Sequence, residues 1–383
     1  MKRDFMRKIL MFLLCLVGLE SSLYSIDVGR WLLTGEPSGH MGMYYQGMTG
    51  GAPTFLDVNA SLAYETSRYQ GINIGGSFWA ATPLFQSHSG DFSDVKKNFV
   101  FTELYASFVN PNRLSAYVGR FHTDSEWIKH YVQGAEINYD DIQNLKLDLI
   151  WAWKEAYVTE YRMDNYYNPY GSIGAIYFGA TLDLPETPLK ITPYFYAAPS
   201  TFASFGAKIT IEMYARSVLL YGKMHFLSYI SRSDKVIDHA SNKGNGGFVW
   251  FEGGARWEGL SAGGGVISVA ENGATGIDAF GQSSYFERRE GLFYSNATTL
   301  YGFLEYDIKQ YLQLDSAIRH TGIGSKRIFN WEVGISSRPV PNIKIGAKII
   351  GMINTADFTL DNSIFANDGR NYLLTRVFGQ VNF

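Results

Sequence analysis

Alternation of apolar and charged side chains is the feature that most limits how this chain can fold. Residues 145–154 read Leu-Lys-Leu-Asp-Leu-Ile-Trp-Ala-Trp-Lys, and residues 343–349 repeat the pattern around Lys344 and Lys348. Successive side chains of a β-strand point to opposite faces, so each segment has one apolar and one charged face. A buried soluble sheet does not tolerate this charge density. A barrel wall with lipid outside and water inside does.

The same alternation, followed along the whole chain, predicts eighteen strands. From the C-terminal end they lie near 371–383, 342–353, 327–337, 311–320, 298–307, 260–269, 247–257, 217–229, 202–213, 188–197, 171–184, 144–157, 132–140, 113–121, 99–109, 71–80, 56–64 and 39–47. Sixteen strands is the alternative count, because the segment at 39–47 has the weakest pattern. The stretch from Phe280 to Phe293 is also long enough for another hairpin.

The links between these segments are short and long in turn. Pro185–Thr187 and Trp257–Leu260 are short links with turn residues, whereas Thr82–Asn98 and Ala270–Ala297 are long and polar. Short periplasmic turns and long extracellular loops are typical of bacterial outer-membrane barrels. We therefore predict an all-β fold, a transmembrane antiparallel β-barrel, most simply of eighteen strands. No apolar run of membrane-spanning helix length follows residue 25.

The N-terminal region predicts the compartment. A basic stretch at residues 2–8 precedes the apolar run Ile9–Leu19, and Ser25 is a small residue at a suitable distance for cleavage. This order is that of a secretory signal peptide, and the run is too short to span a bilayer. We expect residues 1–25 to be removed and residues 26–383 to form a single outer-membrane barrel domain.

Composition excludes several classes of function. Cys15 is the only cysteine and lies in the expected leader, so disulfides and thiol chemistry are not expected in the mature chain. A formal net charge of −3 does not point to nucleic acid. No catalytic motif is present, and Gly263–Gly265 lacks the following helix of a phosphate loop. His122 and His130 have no common metal-ligand spacing. No enzyme activity, cofactor or metal is expected.

The last strand predicts how the sheet closes. Leu373, Val377, Val381 and Phe383 fall on one face, with Arg376 on the other. An alternating strand that finishes on phenylalanine resembles the signal that the barrel-assembly machinery of Gram-negative bacteria reads, so Phe383 is the candidate assembly residue.

A barrel of sixteen to eighteen strands leaves an aqueous channel, so diffusion of small hydrophilic solutes is the expected function. Inward-facing charge then sets selectivity, and the basic residues suggest a preference for anionic or carboxylate-bearing nutrients. The strand phase predicts these pore-lining candidates: Arg120, Lys146, Lys154, Lys208, Lys223, Arg256, Arg319, Lys344, Lys348 and Arg376.

Three glycine-containing stretches carry a family resemblance: residues 69–76, Val118–Phe121 and Gln133–Glu136. They resemble the OprD-like porins, especially the epsilonproteobacterial outer-membrane proteins called Hof, in which a glycine-arginine pair ends a strand before a loop. The resemblance implies eighteen strands, a pore role for Arg120, and an inward-folded third loop at His122–Tyr131. Asp124, Glu126 and Lys129 are the constriction-loop candidates. This loop lacks the proline and arginine pattern of the better-known members, which leaves carboxylate selectivity open.

The competing function is a surface adhesin or host-interaction barrel that acts through its long extracellular loops. A gated receptor transporter is disfavoured, because the segment between Ser25 and the first strand is too short for a plug domain. The expected partners are outer-membrane lipid and lipopolysaccharide, the barrel-assembly machinery and small hydrophilic solutes, with no nucleic acid.

Overall fold

Eighteen antiparallel strands form one closed sheet in the computed structural model. The structure describes residues 28–49, 53–110, 113–199, 201–231, 245–281, 286–287, 291–309, 311–355 and 371–383. Each strand pairs with its neighbours in sequence, and β1 pairs with both β2 and β18, which closes the barrel. The eighteen-strand prediction is confirmed, including the weak first strand. The expected leader, residues 1–25, lies outside the described residues.

A short helix, α1 (Val28–Leu33), precedes the barrel. The strands are β1 (Glu36–Met48), β2 (Phe55–Glu65), β3 (Ile72–Gln86), β4 (Phe99–Val109), β5 (Leu114–Asp124), β6 (Lys129–Ile142), β7 (Leu145–Ala156), β8 (Ala175–Asp183), β9 (Leu189–Ala198), β10 (Phe202–Ala215), β11 (Val218–Ser231), β12 (Asn245–Trp257), β13 (Leu260–Val269), β14 (Ala297–Ile308), β15 (Leu312–Ile323), β16 (Lys326–Val340), β17 (Ile343–Asn354) and β18 (Asn371–Asn382). In the described part of the chain, no helix is long and apolar enough to cross a membrane.

The predicted alternation appears directly as a difference in exposure between the two faces. On β17, Ile345 and Ile349 are exposed on the outer face, whereas Ile350 is fully buried on the inner face. On β18, Val377 is 47% exposed and its neighbour Arg376 only 5%. The exposed apolar side chains form the surface that contacts lipid, and the polar side chains line the interior.

The packed core lies inside the barrel. A larger cluster of buried side chains includes Trp127, Tyr196 and Trp250, and a smaller one near β1–β4 includes Phe55 and Phe92. Many of the buried side chains in these clusters belong to the long connections between strands. Residues 87–98, 157–174 and the described parts of 270–296 contribute buried side chains to the two clusters. Most of the connections after β11 and after β17, residues 232–244 and 356–370, lie outside the described residues.

The last strand closes on the first through backbone pairing. Gly39 and Phe383 exchange two hydrogen bonds, each of 3.0 Å, and the register continues from His40 opposite Asn382 to Met48 opposite Leu374. Phe383 therefore lies where the sheet closes, at the end that carries the short turns.

Candidate functional site

The β5–β6 hairpin leaves the barrel wall and enters the lumen. Pairing between β4 and β5 stops at Leu104 opposite Arg120, whereas pairing between β5 and β6 continues to Asp124 opposite Lys129. Above Arg120, β5 is therefore paired with β6 alone, whereas β6 stays paired with β7 up to Tyr131 opposite Ala156. The loss of the β4 partner frees the upper part of β5 to bend inward.

Two glycines lie at the bend. Gly119 and Gly134 are directly opposite each other on β5 and β6. Gly119 has φ = 121°, a backbone conformation that favours glycine. A Cβ on Gly134 would lie only 1.8 Å from the carbonyl oxygen of Trp151, so no other residue fits there without movement of the backbone. The glycine-arginine motif thus marks a bend within β5. The prediction that it ends the strand is wrong.

The predicted third loop, His122–Tyr131, is shorter in the structure. β5 runs to Asp124 and β6 begins at Lys129, so only residues 125–128 connect them. The alternation at either end of the predicted loop is too brief to identify as strand from sequence, and pairing across the hairpin extends both strands.

The tip of the hairpin packs against the inner face of the wall at β9–β12. Trp127 and Ile128 are fully buried. The Trp127 ring stacks on Tyr196 of β9, with ring centroids 6.2 Å apart. The backbone N–H of Lys129 donates a 2.7 Å hydrogen bond to the carbonyl oxygen of Phe280, in the connection after β13. Aromatic packing and a backbone hydrogen bond therefore fix the tip inside the lumen.

Glu126 anchors the same tip electrostatically. Its carboxylate forms an ion pair with Lys208 of β10 and lies 3.8 Å from Nδ1 of His225 on β11. Nε2 of His225 is hydrogen-bonded to the Tyr194 hydroxyl at 2.6 Å. Burial acts to raise the pKa of Glu126, but the charges of Lys208 and His225 outweigh it and hold that pKa below its usual value. Asp124 and Lys129, the other two constriction-loop candidates, pair with each other.

Three inward lysines share one arrangement. Lys208, Lys223 and Lys348 are partly exposed to the lumen, with 26%, 17% and 26% of each side chain accessible. Each pairs with a carboxylate that is almost fully buried: Glu126, Glu252 at 3.3 Å and Glu332 at 2.8 Å, respectively. In each pair the ammonium group is thus more accessible than the carboxylate.

The remaining candidates on the inner face fall into two groups. Arg319 and Arg376 are buried, 1% and 5% exposed, and Arg376 pairs with Glu287 and lies 4.4 Å from the Tyr161 ring. The second group, Lys146, Arg256 and Lys344, lies nearer the short turns. Lys146 pairs with Asp148 at 3.0 Å, Arg256 lies over Tyr221, and Lys344 lies over Phe378.

Two candidates are not where the strand phase placed them. A bulge between β6 and β7 puts Lys154 opposite Gln133 and Glu155 opposite Val132. Val132 is part of the buried interior cluster, so Glu155 faces inward and Lys154 faces the other side. Arg120 is opposite Leu104, which is 58% exposed on the outer face. Its guanidinium lies at the edge of the wall, over the Tyr166 ring at 4.5 Å.

Comparison with known proteins agrees with this geometry. Residues 38–216 match a family model described as "Putative outer membrane protein". The structure aligns with OpdK of Pseudomonas aeruginosa, crystallised with vanillate, at a TM-score of 0.71 and 10% identity, covering 92% of this chain and 99% of that one. OccK3 (OpdO) of the same organism aligns at a TM-score of 0.70 and 12% identity, covering 93% of this chain and 97% of that one. OccAB2 of Acinetobacter baumannii aligns at a TM-score of 0.72 and 9% identity, covering 92% of this chain and 98% of that one.

The chain is an outer-membrane protein with the OprD-like porin fold. Sequence identity this low shows a shared fold and no more. The narrower epsilonproteobacterial assignment stays a prediction. No curated protein sequence matches the chain.

In this OprD-like barrel the connections supply side chains that the sequence analysis missed. Lys96, between β3 and β4, forms a fully buried 2.7 Å ion pair with Asp57 and donates to the carbonyl oxygen of Glu160. Its ammonium lies 4.2 Å from the Tyr44 ring centroid. Burial lowers the pKa of Lys96 to about 8, against the opposing effect of Asp57. One buried cation thus joins two connections to the wall.

A sequence signal for these inward connections does exist. Residues 157–170 contain five tyrosines, which is far more aromatic surface than a solvated loop needs. Three of them, Tyr161, Tyr166 and Tyr170, pack against the interior clusters. Within the described residues, no group of three or more His, Cys, Asp or Glu side chains converges as a metal site.

Proposed function

We propose that the chain forms a water-filled channel through which small hydrophilic solutes diffuse, with a preference for anions. The observation that carries the proposal is the set of three partly exposed lysines, Lys208, Lys223 and Lys348, on the inner face of a closed eighteen-strand barrel. Barrels of this size leave an aqueous channel, and charged groups at a narrow point of it select permeating ions.

The arrangement of the charges supports anion preference. A solute in the lumen meets the partly exposed ammonium groups, whereas the paired carboxylates are almost fully buried. Because attraction falls with distance, the lysines dominate the potential that the solute experiences. The inward hairpin narrows the passage and brings the solute close to Lys208. OpdK was crystallised with vanillate, a carboxylate, which supports carboxylate-bearing nutrients as the solute class.

The placement of the long connections favours a channel over a surface adhesin. The described parts of 87–98, 157–174 and 270–296 pack into the lumen, where they narrow a passage. An adhesin needs its loops presented outward. We also propose that the chain has no catalytic activity, in keeping with the non-enzymatic nature of its structural neighbours.

We propose that residues 1–25 are removed on export and that residues 26–383 form the barrel domain. The barrel-assembly machinery then recognises the last strand, in which Phe383 pairs with Gly39. Lipopolysaccharide and other outer-membrane lipid surround the exposed apolar face.

Planar-bilayer recording of the refolded residues 26–383 tests the channel. We expect stepwise conductance, and in a salt gradient a reversal potential of the sign that anion preference gives. Absence of steps at every voltage, in a preparation that shows the heat-dependent gel mobility of a folded barrel, would reject the channel and favour the adhesin. A reversal potential of the opposite sign would reject anion preference alone.

A further inference from the structure

The short helix α1 is fastened to the rim of the barrel at the end that carries the short turns. Nε1 of Trp31 donates a 2.6 Å hydrogen bond to the carbonyl oxygen of Ser67, in the turn between β2 and β3. The Tyr64 hydroxyl donates to the carbonyl oxygen of Leu32 at 2.5 Å and accepts from the backbone N–H of Gly35 at 2.8 Å. The end of α1 and the residues that lead into β1 are therefore held against β2 and the turn that follows it.

The face of the wall that carries Tyr64 shows on which side α1 ends. Asp57 and Asn59 are buried on the inner face of β2, whereas Leu62 and Tyr64, of the opposite phase, are exposed on the outer face. A Cβ on Gly35 would collide with the Tyr64 ring, so the chain passes close over this ring. The C-terminal end of α1 thus lies outside the barrel and not in its lumen.

Aromatic side chains on the outer face mark the level at which α1 ends. Tyr214, Trp257, Tyr306 and Phe383 are exposed close to the short-turn ends of β10, β12, β14 and β18. Such aromatic girdles lie at the boundary between lipid and water. Tyr64 is next to the last residue of β2 and belongs to the same level. Because the end of α1 is hydrogen-bonded to Tyr64, it lies at the periplasmic boundary of the membrane.

The end of α1 presents apolar side chains at this boundary. Leu32 and Leu33 are 43% and 84% exposed. The Leu32 carbonyl oxygen contacts Tyr64, so both leucines adjoin the lipid-facing surface that includes Leu62 on β2 and Ile74 on β3. This continuity with the lipid-facing wall favours lipid, and not a second copy of the chain, as the molecule that covers the two leucines.

We propose that α1 is an interfacial anchor that inserts Leu32 and Leu33 among phospholipid acyl chains of the periplasmic leaflet. Short apolar segments at a membrane surface bind by burying their apolar side chains at the boundary of head groups and acyl chains. Tyr64 and Ser67 hold α1 at the correct height on the wall. The anchor depends on the outer-membrane location and not on conduction, so its failure leaves the channel proposal untouched.

Thiol accessibility in lipid nanodiscs tests the anchor. Cys15 is the only cysteine, so the refolded residues 26–383 contain none and each variant carries a single thiol. The variants are Leu33→Cys, the lipid-facing control Leu62→Cys and the water-facing control Gln143→Cys, since Gln143 is exposed in the short turn between β6 and β7. The nanodiscs contain phosphatidylethanolamine and phosphatidylglycerol, and a charged maleimide reaches both of their faces. We expect Leu33→Cys and Leu62→Cys to react about tenfold more slowly than Gln143→Cys, because the thiolate is the reacting form and apolar surroundings disfavour it.

The number of barrels in each nanodisc separates lipid from a second copy of the chain. Slow reaction of Leu33→Cys in discs that hold one barrel would support contact with lipid. Slow reaction only in discs that hold two barrels would overturn the proposal and assign Leu33 to a contact between copies. Reaction as fast as that of Gln143→Cys would overturn it as well. Each rate is normalised to that of the same variant unfolded in urea, and heat-dependent gel mobility shows that each variant is folded.

Discussion

Gly119 of β5 lies directly opposite Gly134 of β6, at the bend where the hairpin turns into the lumen. Because both residues are glycines, neither strand carries a side chain at this level. The strands bend at this level and keep their pairing above and below it. The position of the inward hairpin is thus determined by backbone geometry at its base, and by Glu126 and Trp127 at its tip.

Replacement of Gly134 by alanine should disrupt the bend. The new Cβ would lie 1.8 Å from the Trp151 carbonyl oxygen, so the strands must shift, at a cost of about 3 kcal/mol. We expect a lower midpoint in urea unfolding in lipid vesicles, followed by tryptophan fluorescence. Gly253→Ala is the matched control, because a Cβ there meets its first neighbour at 3.6 Å. Equal midpoints for the two variants would contradict the role of the bend.

Glu126→Gln should loosen the tip of the hairpin. The substitution leaves Lys208 unpaired beside His225 and removes an ion pair whose acid is almost fully buried, which we expect to cost about 2 kcal/mol after allowance for the exposure of the lysine. Single-channel recording should then show larger current noise. The double variant Glu126→Gln with Lys208→Gln should recover most of the stability. Additive effects of the two changes would show that the pair is not coupled.

The hairpin should tolerate mild acid. The folded-state pKa of Glu126 is held below its usual value of 4.5, so its stabilising contribution is complete above that value and is lost only as the pH falls through the lower folded-state pKa. Current noise should therefore be unchanged from pH 7 to pH 5 and should rise well below pH 4.5. An increase already at pH 5.5 would show that another group holds the tip.

Lys348→Gln and Lys223→Gln should each reduce the preference for anions. Each removes a partly exposed ammonium and leaves its buried carboxylate partner, so the local charge changes from neutral to negative. We expect the anion-to-cation permeability ratio to fall about two- to fivefold in reversal-potential measurements. Lys190→Gln, which alters an exposed pair with Asp183 near a short turn, is the control. A control effect as large as those of Lys348 and Lys223 would mean that net charge alone sets the preference.

Lys96→Met should destabilise the interior packing near β1–β4. The change leaves Asp57 as a buried carboxylate without its ion-pair partner, at a cost of about 3–5 kcal/mol. Adding Asp57→Asn should restore part of the loss in urea unfolding. The pH profile gives a second test. Because burial lowers the Lys96 pKa to about 8 in the folded state from 10.5, the parent protein should gain stability relative to Lys96→Met as the pH rises between these values.

Sequence alternation predicted the barrel well because lipid and water act on each strand locally. All eighteen strands lie near their predicted positions, with β4 and β13 matching at both ends. Local patterns cannot locate a bulge, and the one beside Lys154 reversed the phase of the residues above it. They also cannot show that the strands on either side of residues 125–128 continue past the wall, since that depends on pairing across the hairpin.

The interior site was predicted only in part. Lys208, Lys223 and Lys348 follow from strand phase, and Glu126 from the expected third loop. Their partners Glu252 and Glu332 are on neighbouring strands, and the specific pairing depends on the register between strands, which the sequence does not reveal. Lys96 was missed because its partner Asp57 is distant in sequence.

The closing pair of strands also has a kinetic consequence. Thr49 and Leu373, 324 residues apart in sequence, are hydrogen-bonded where β1 meets β18. Contacts of such long sequence separation form late and slowly. Until they form, the edges of β1 and β18 are unpaired and prone to aggregate. The chain must therefore be protected from aggregation during its passage to the membrane, and its yield in the cell should be governed by this protection more than by the stability of the finished barrel.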